Sequence, residues 1–135
     1  MYLAPMKSIL VLGAGRSSSS LIRRLLERAG KCGWKVVVGD IDLATAESKV
    51  GGHESGEAFQ LSSKNNDDRD RRIAESDLVL SMLPAFLHPS VARVAIANSV
   101  PVITPSYVSD EMKSLDSEAK AAEVLVLNEI GLDPG

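Results

Sequence analysis

The residues best suited to chemistry form one short glycine-rich segment, Gly13-Ala14-Gly15-Arg16-Ser17-Ser18. Glycine at positions 13 and 15 permits a tight turn and a close approach of the backbone to a ligand, because neither residue has a Cβ atom. When such a segment joins a strand to a helix, the first N–H groups and the positive end of the helix dipole attract an anion. We therefore expect Gly13, Gly15, Arg16, Ser17 and Ser18 to bind the diphosphate of a dinucleotide.

Ser18 stands where the usual pattern, Gly-x-Gly-x-x-Gly, has its third glycine. A small residue at this position still allows the helix to pack closely on the strand, and its hydroxyl could contact a phosphate. Because two of the three glycines are present, the segment alone is weak evidence for a dinucleotide site.

An acidic residue, Asp40, follows the second apolar run and strengthens this interpretation. A carboxylate at the end of the second strand can accept hydrogen bonds from the adenosine ribose. Two like charges about 4 Å apart cost roughly 4 kcal/mol at an effective dielectric constant of about 20, or about a thousandfold in affinity against a 2′-phosphate. Asp40 therefore favours NAD over NADP, and Arg16, which could pair with a phosphate, keeps NADP as the alternative. Without a ligand role, Asp40 would be a strand-end turn residue.

A regular alternation of strands and helices would place these residues at one edge of a sheet, and the sequence predicts that alternation. Apolar and β-branched runs predict six strands, at 9–12, 35–38, 58–61, 78–83, 102–104 and 124–127. Apolar residues at helical spacing predict the intervening helices, the last of them with Ser109 as its N-cap. Right-handed crossovers then favour an α/β Rossmann fold, a doubly wound parallel sheet of strand order 3-2-1-4-5-6 in a three-layer αβα arrangement.

In such a fold the ligand lies across the carboxyl ends of the strands. Ile41, after the second strand, and Leu61 and Ser62, after the third, are then expected beside the adenosine. Leu83 and Pro84, after the fourth strand, are expected to form an apolar wall beside the nicotinamide ring. The alternative for Leu83 and Pro84 is a plain strand terminus.

The composition is that of an ordinary globular domain: 135 residues, 44% hydrophobic and 24% charged. The net charge of −3 gives no electrostatic reason to expect a nucleic acid or a membrane surface as a partner. The single cysteine, Cys32, cannot form an internal disulfide, which fits the reducing cytoplasm.

The histidines and the arginine-rich segment have simpler interpretations. Neither His53 nor His88 has a second ligand at metal spacing, so no metal site is expected. His88 is expected to be an exposed loop residue, with the substrate side of the site as its alternative. Arg69, Arg71 and Arg72 alternate with aspartates and are expected to form a solvated helix face.

Longer motifs carry a more specific signal than the glycine segment. They are Val11-Leu12-Gly13-Ala14-Gly15-Arg16, Ser81-Met82-Leu83-Pro84 with Leu87-His88-Pro89, Thr104-Pro105-Ser106-Tyr107-Val108-Ser109, and Asn128-Glu129-Ile130-Gly131-Leu132-Asp133-Pro134-Gly135. These motifs resemble the N-terminal NAD(P)-binding domain of the saccharopine dehydrogenase family, the glutamate-forming type. The resemblance extends over nearly the whole chain, and its final stretch is the most specific.

The resemblance implies a reversible oxidoreduction at a CH–NH bond. Saccharopine, water and oxidised cofactor give glutamate, 2-aminoadipate 6-semialdehyde and reduced cofactor. The family motifs imply that Ser106, Tyr107 and Asp133 contact this amino-acid substrate, and they assign no catalytic residue to the chain. Tyr107 as a core-edge aromatic and Asp133 as a turn residue are the alternatives without a substrate role.

Two departures from the family pattern bear on the cofactor. The NADP-dependent members typically have an arginine just after the second strand, where this sequence has Gly39-Asp40-Ile41-Asp42, which again favours NAD. Ser62 and Ser63 stand where the family usually has an aspartate near the adenine. The family also includes relatives that act on other amino acids and on polyamines, so the substrate stays open within that class.

Family members continue into a substrate domain, so residues 1–135 are interpreted as one NAD(P)-binding domain and 128–135 as the start of the crossover to that second domain. The chain is expected to bind a dinucleotide but to turn over little by itself, and a homodimer would form through the second domain. Two other classes remain. One is a regulatory NAD-binding module. The other is a methyltransferase, which the tight Gly-Ala-Gly turn disfavours because it suits a diphosphate better than a sulfonium cofactor.

Overall fold

The computed structural model describes residues 7–105 and 109–127, and within them a six-stranded parallel sheet has the order β3-β2-β1-β4-β5-β6. This confirms the predicted doubly wound topology. The strands are β1 (Lys7–Leu12), β2 (Trp34–Asp40), β3 (Gly56–Gln60), β4 (Leu78–Ser81), β5 (Val102–Ile103) and β6 (Val126–Leu127). The helices are α1 (Ser19–Cys32), α2 (Leu43–Val50), α3 (Asp67–Ala74), α4 (His88–Ala97), α5 (Asp110–Ser114) and α6 (Asp116–Ala121).

The central strand β1 is buried on both faces, as expected of a parallel sheet covered by helices on each side. Leu10 and Leu12 pack into one core, together with residues of α3, α4, α5 and α6. Ile9 and Val11 point the opposite way, into a second core with residues of α1 and α2. The two cores confirm the three-layer arrangement that the sequence predicts.

Helix α1 follows the predicted amphipathic pattern. Ile22, Leu26 and Ala29 are buried against the sheet, at spacings of four and three residues. The helix ends at Gly33, which adopts φ +71° and donates its N–H to the carbonyl of Ala29. The N-terminus of α1 comes after β1 and the glycine segment, so it lies at the carboxyl edge of the sheet.

The predicted fourth strand, 78–83, is two residues too long at its C-terminal end. Strand β4 stops at Ser81, and Met82 donates its N–H to the carbonyl of Leu12 before the chain leaves the sheet. Pro84 has no N–H to donate, and a short 3₁₀ turn, Ala85–Leu87, leads into α4. The consequence is a loop after β4 that lies directly beside the glycine segment.

The last helical region is two helices and not one. Ser109 accepts a hydrogen bond from the N–H of Met112 at 3.1 Å, which confirms its predicted role as N-cap. Helix α5 ends at Ser114, and α6 begins at Asp116 after Leu115. Met112, Leu115 and Ala119 are nevertheless buried, as the apolar spacing predicts.

The prediction of a solvated arginine face on α3 is wrong for Arg69. Its side chain is 6% exposed, and its Nη2 donates to Ser90 Oγ on α4 at 2.9 Å. Arg72 is partly covered as well, because its guanidinium lies 4.0 Å from the centroid of the Phe59 ring. Arg71 alone of the three is exposed, since α3 packs against both α4 and the sheet.

Within the part of the chain that the structure describes, every helix is too short or too polar to cross a lipid bilayer.

Candidate dinucleotide-binding site

The candidate site lies at the carboxyl edge of the sheet, between β1 and β4. Strand β1 has β2 on one side and β4 on the other, with Leu12 beside Gly39 and beside Ser81. Strands β2 and β3 are added on one side of β1, and β4, β5 and β6 on the other, so the strand order reverses at this point. Ligands of doubly wound folds bind in the crevice there. The glycine segment after β1, the acidic residue at the end of β2 and the loop after β4 therefore meet at one place.

Gly13 is required by the fold itself. It adopts φ +98°, a left-handed conformation that residues with a Cβ atom rarely adopt. A Cβ atom at this position would lie 2.8 Å from the carbonyl oxygen of Met82, which is backbone and cannot move aside cheaply. The N–H of Gly13 also donates to the carbonyl of Gly39 at 2.7 Å. The turn is thus held against both neighbouring strands.

Gly15 has a different environment. Its backbone, with φ −70° and ψ −173°, is one that any residue adopts, and a Cβ atom there would meet nothing within 4 Å. The packing of the chain therefore does not demand glycine at position 15. A ligand that lies close against the backbone does demand it, which supports the predicted diphosphate contact.

The 3₁₀ turn Arg16–Ser18 connects this glycine to α1. Arg16 and Ser17 are exposed, as a diphosphate contact requires. Ser18 is fully buried, and its hydroxyl donates to the carbonyl of Gly13 at 2.9 Å. Ser18 therefore closes the loop and allows tight packing, and its hydroxyl points inward and not toward a phosphate.

Asp40 is tied to the glycine segment by hydrogen bonds that sequence reasoning missed. Its Oδ2 accepts from the N–H of Ala14 at 2.8 Å, and its Oδ1 accepts from the N–H of Asp42 at 2.9 Å. The second bond is an Asx turn, which the Asp-x-Asp spacing indicates in retrospect. The first bond joins two segments 26 residues apart in sequence, and no local pattern indicates it.

The predicted adenosine side is only partly exposed. Ile41 is 58% exposed, and its carbonyl accepts from Gln60 Nε2 at 2.9 Å. Ser62 is exposed, and its hydroxyl accepts from the N–H groups of Lys64 and Asn65. Leu61 is buried, and its side chain packs into the core, so the proximity of residue 61 to the adenosine stays a prediction.

The loop after β4 presents an apolar surface at the same edge. Leu83 packs partly against the core, Pro84 is exposed, and Phe86 is 78% exposed. Leu83 and Pro84 thus lie where the sequence predicts an apolar wall. Phe86 adds to this surface and was missed, although an exposed aromatic two residues after a proline at a strand end is a visible signal.

A buried polar pair lies beneath this loop. Ser81 Oγ at the end of β4 lies 2.8 Å from His88 Nδ1 at the start of α4, and the two side chains are 0% and 2% exposed. The prediction that His88 is an exposed loop residue is therefore wrong, because α4 begins at His88 and turns it inward. Burial lowers the pKa of His88 from its usual 6.5.

This burial predicts a pH dependence of stability. Below about pH 6.5 the unfolded chain gains a proton at His88, whereas the folded chain keeps the imidazole neutral to lower pH, so the free energy of unfolding should fall over the acidic range below about pH 6.5. His88→Asn should flatten this dependence in urea unfolding curves recorded across that range. An unchanged slope in His88→Asn would contradict the assignment.

The predicted substrate residues Ser106, Tyr107 and Asp133 lie outside the described residues. Over positions 7–105 and 109–127, no three histidine, cysteine, aspartate or glutamate side chains converge to hold a metal ion.

Comparison with known proteins finds one family along most of the chain. The family described as "Saccharopine dehydrogenase NADP binding domain" matches residues 9–127. Saccharopine dehydrogenase [NADP(+), L-glutamate-forming] of Pyricularia oryzae is 37% identical over 129 residues, which is 96% of this chain and 28% of that protein. Mitochondrial alpha-aminoadipic semialdehyde synthase of Bos taurus is 34% identical over 96% of this chain and 14% of its own length.

A solved structure shows the same fold. The apo saccharopine dehydrogenase (L-Glu forming) of Saccharomyces cerevisiae superposes with a TM-score of 0.84 at 33% identity, over 96% of this chain and 28% of that one. The chain thus spans about 28% of the length of these fungal relatives. The family and these fungal relatives carry NADP in their names, which supports the NADP alternative. The preference for NAD stays a prediction.

Proposed function

The chain belongs to the saccharopine dehydrogenase family through the NADP-binding domain of that family, and we propose that it is the dinucleotide-binding part of an oxidoreductase. The proposed substrate is saccharopine or a related amino acid with a secondary amine. The chain spans about 28% of its fungal relatives, which supports assigning the activity to a longer protein. Residues 1–135 are its proposed cofactor domain and 128–135 the proposed connection to a further domain.

The proposed reaction is a reversible hydride transfer. A bound oxidised dinucleotide would supply the hydride acceptor for oxidation at the amine-bearing carbon of saccharopine. The resulting substrate imine takes up water and separates into glutamate and 2-aminoadipate 6-semialdehyde, with release of a proton. Ser106, Tyr107 and Asp133 are the proposed substrate contacts of this chain.

The proposed roles of this chain's residues are to bind and orient the cofactor and the substrate. The segment from Gly13 to Ser17 would hold the diphosphate, with Asp40 beside the ribose. Leu83, Pro84 and Phe86 would exclude water from one face of the nicotinamide ring. Covering one face of the ring would protect it from water and would leave the other face for hydride transfer.

One observation carries the proposal: the open space in front of Gly15, next to a Gly13 turn that both neighbouring strands hold in place. An open position beside a rigid turn at a helix N-terminus is what a diphosphate needs. The proposal has three further parts: a cytoplasmic location, an amino-acid substrate, and a homodimer formed through a further domain of the longer protein. The single, exposed Cys32 supports the first of these, and the net charge of −3 gives no support for a nucleic-acid partner.

Calorimetric titration of the chain tests the proposal. NADH or NADPH should bind at one site per chain, because the whole glycine segment and its neighbours lie within the described fold. S-adenosylmethionine, which has no diphosphate, should not bind. Binding of S-adenosylmethionine without either nicotinamide dinucleotide would overturn the proposal and favour a methyltransferase.

A further inference from the structure

We propose that this chain selects NAD(H) over NADP(H), and that the selecting group is an Asp40 carboxylate which the fold locks at the position of the ribose 2′-substituent. This inference rests on the proposed function, since it concerns the cofactor of the same site. It sets the chain apart from relatives that are named for NADP.

Asp40 cannot turn away from a ligand without losing its own contacts. One carboxylate oxygen accepts from the N–H of Ala14 and the other from the N–H of Asp42, at 2.8 and 2.9 Å. A rotation of the side chain would leave these two backbone donors without their acceptor, which is unfavourable when the surroundings are partly buried. The negative charge therefore stays where it is, whichever dinucleotide arrives.

The position of this charge is set by the sheet. Gly39, the residue before Asp40, pairs with Leu12 and accepts the N–H of Gly13. The carboxylate consequently lies against the glycine segment, at the end of β2, where folds of this class bind the adenosine ribose. Each carboxylate oxygen has a second lone pair, so Asp40 can accept ribose hydroxyls while it holds Ala14 and Asp42.

A 2′-phosphate would meet uncompensated negative charge at this place. Within residues 7–105 and 109–127, no lysine or arginine nitrogen lies within 4.0 Å of the Asp40 carboxylate. The neighbouring Asp42 is a second carboxylate, and its Oδ1 accepts from the N–H groups of Ala44 and Thr45 as the N-cap of α2. Both acidic side chains are therefore held in place by backbone donors.

The exposed cations of the neighbouring loops are on flexible side chains, whereas Lys49 of α2 is partly buried and donates to Ser19 Oγ at 2.6 Å. Arg16 lies in the turn after Gly15, and Lys64 lies in the loop after β3. Neither is paired with Asp40, and Lys49 is not either, so among the described residues no cation within 4.0 Å offsets the charge of this carboxylate. Electrostatic discrimination of about tenfold to roughly a thousandfold in favour of NADH follows, with the upper figure reduced by solvent screening.

Titration of the whole chain with NADH and with NADPH tests the inference. The parent chain should bind NADH at least about tenfold more tightly than NADPH at low ionic strength. Asp40→Asn removes the charge and keeps one acceptor oxygen. It should lower the ratio of the NADPH and NADH dissociation constants by about tenfold or more, mainly through tighter NADPH binding. Asp40→Glu retains the charge but disturbs the same two hydrogen bonds, so it should keep the preference for NADH even if both affinities fall.

Asp77→Asn is the matched control. Asp77 also accepts a backbone N–H, that of Ser8 at 2.7 Å, but it lies at the opposite, amino edge of the sheet. The same change of charge there should leave the NADH to NADPH ratio unaltered. The inference would be overturned if the parent chain bound NADPH as tightly as NADH or more tightly. It would also be overturned if Asp40→Asn and the parent chain had the same ratio of NADPH to NADH dissociation constants. If the parent chain bound neither NADH nor NADPH, the proposed function itself would be overturned.

Discussion

Replacement of Gly15 by leucine is expected to abolish dinucleotide binding, with a loss of affinity of at least about a hundredfold, while the stability of the chain stays the same. The backbone at Gly15 suits any residue, and a Cβ atom there meets nothing within 4 Å. The folded chain therefore accommodates the leucine side chain. The side chain would occupy the space in front of the loop, where the diphosphate must contact the backbone.

Calorimetric titration with NADH and a thermal unfolding curve measure the two halves of this prediction. Gly30→Leu is the matched control, because Gly30 is also exposed and its Cβ position is also open, but it lies near the far end of α1. This control should bind NADH as the parent does. Unimpaired NADH binding by Gly15→Leu would remove the glycine segment from the proposed site.

Replacement of Gly13 by alanine is expected to destabilise the fold by about 2–5 kcal/mol, a large effect for one methyl group. Two causes add together. The φ of +98° is unfavourable for alanine, and the new Cβ atom would lie 2.8 Å from the Met82 carbonyl oxygen. Because the loop after β4 must move to relieve this contact, dinucleotide binding should weaken as well.

Urea unfolding measures this loss, and two variants separate its causes. Gly33→Ala has a positive φ of +71° but open space around its Cβ position, so it should cost only about 1 kcal/mol. Gly15→Ala has neither strain nor contact and should stay within about 0.5 kcal/mol of the parent. A Gly13→Ala variant as stable as the parent would show that the turn and the loop after β4 are not in contact.

The two glycines show how far a motif can be interpreted from sequence. The spacing correctly indicates that both positions matter, since a strand, a short glycine segment and a helix form a local unit. It does not separate their roles. Gly13 is required because a distant backbone, that of Met82, lies against it, and Gly15 is open because nothing of the chain does.

The alternation of apolar runs by itself determined the order of the six strands and the two buried faces of β1. Burial of both sheet faces requires continuous apolar strands, and right-handed crossovers leave few arrangements of them. Strand ends were less well determined, because the end of β4 depends on the hydrogen bond from Met82 to Leu12 and not on composition.

Only the tertiary structure decided which polar side chains face inward. Ser18, Arg69 and His88 are polar side chains that the fold buries, with hydrogen bonds to Gly13, Ser90 and Ser81. The partner of Arg69 lies 21 residues away in sequence, on a different helix. Asp40 also has a distant partner, since its bond to Ala14 joins the ends of β1 and β2. The physical reason is that a hydrogen bond between distant segments depends on packing geometry, which periodicity and residue type do not encode.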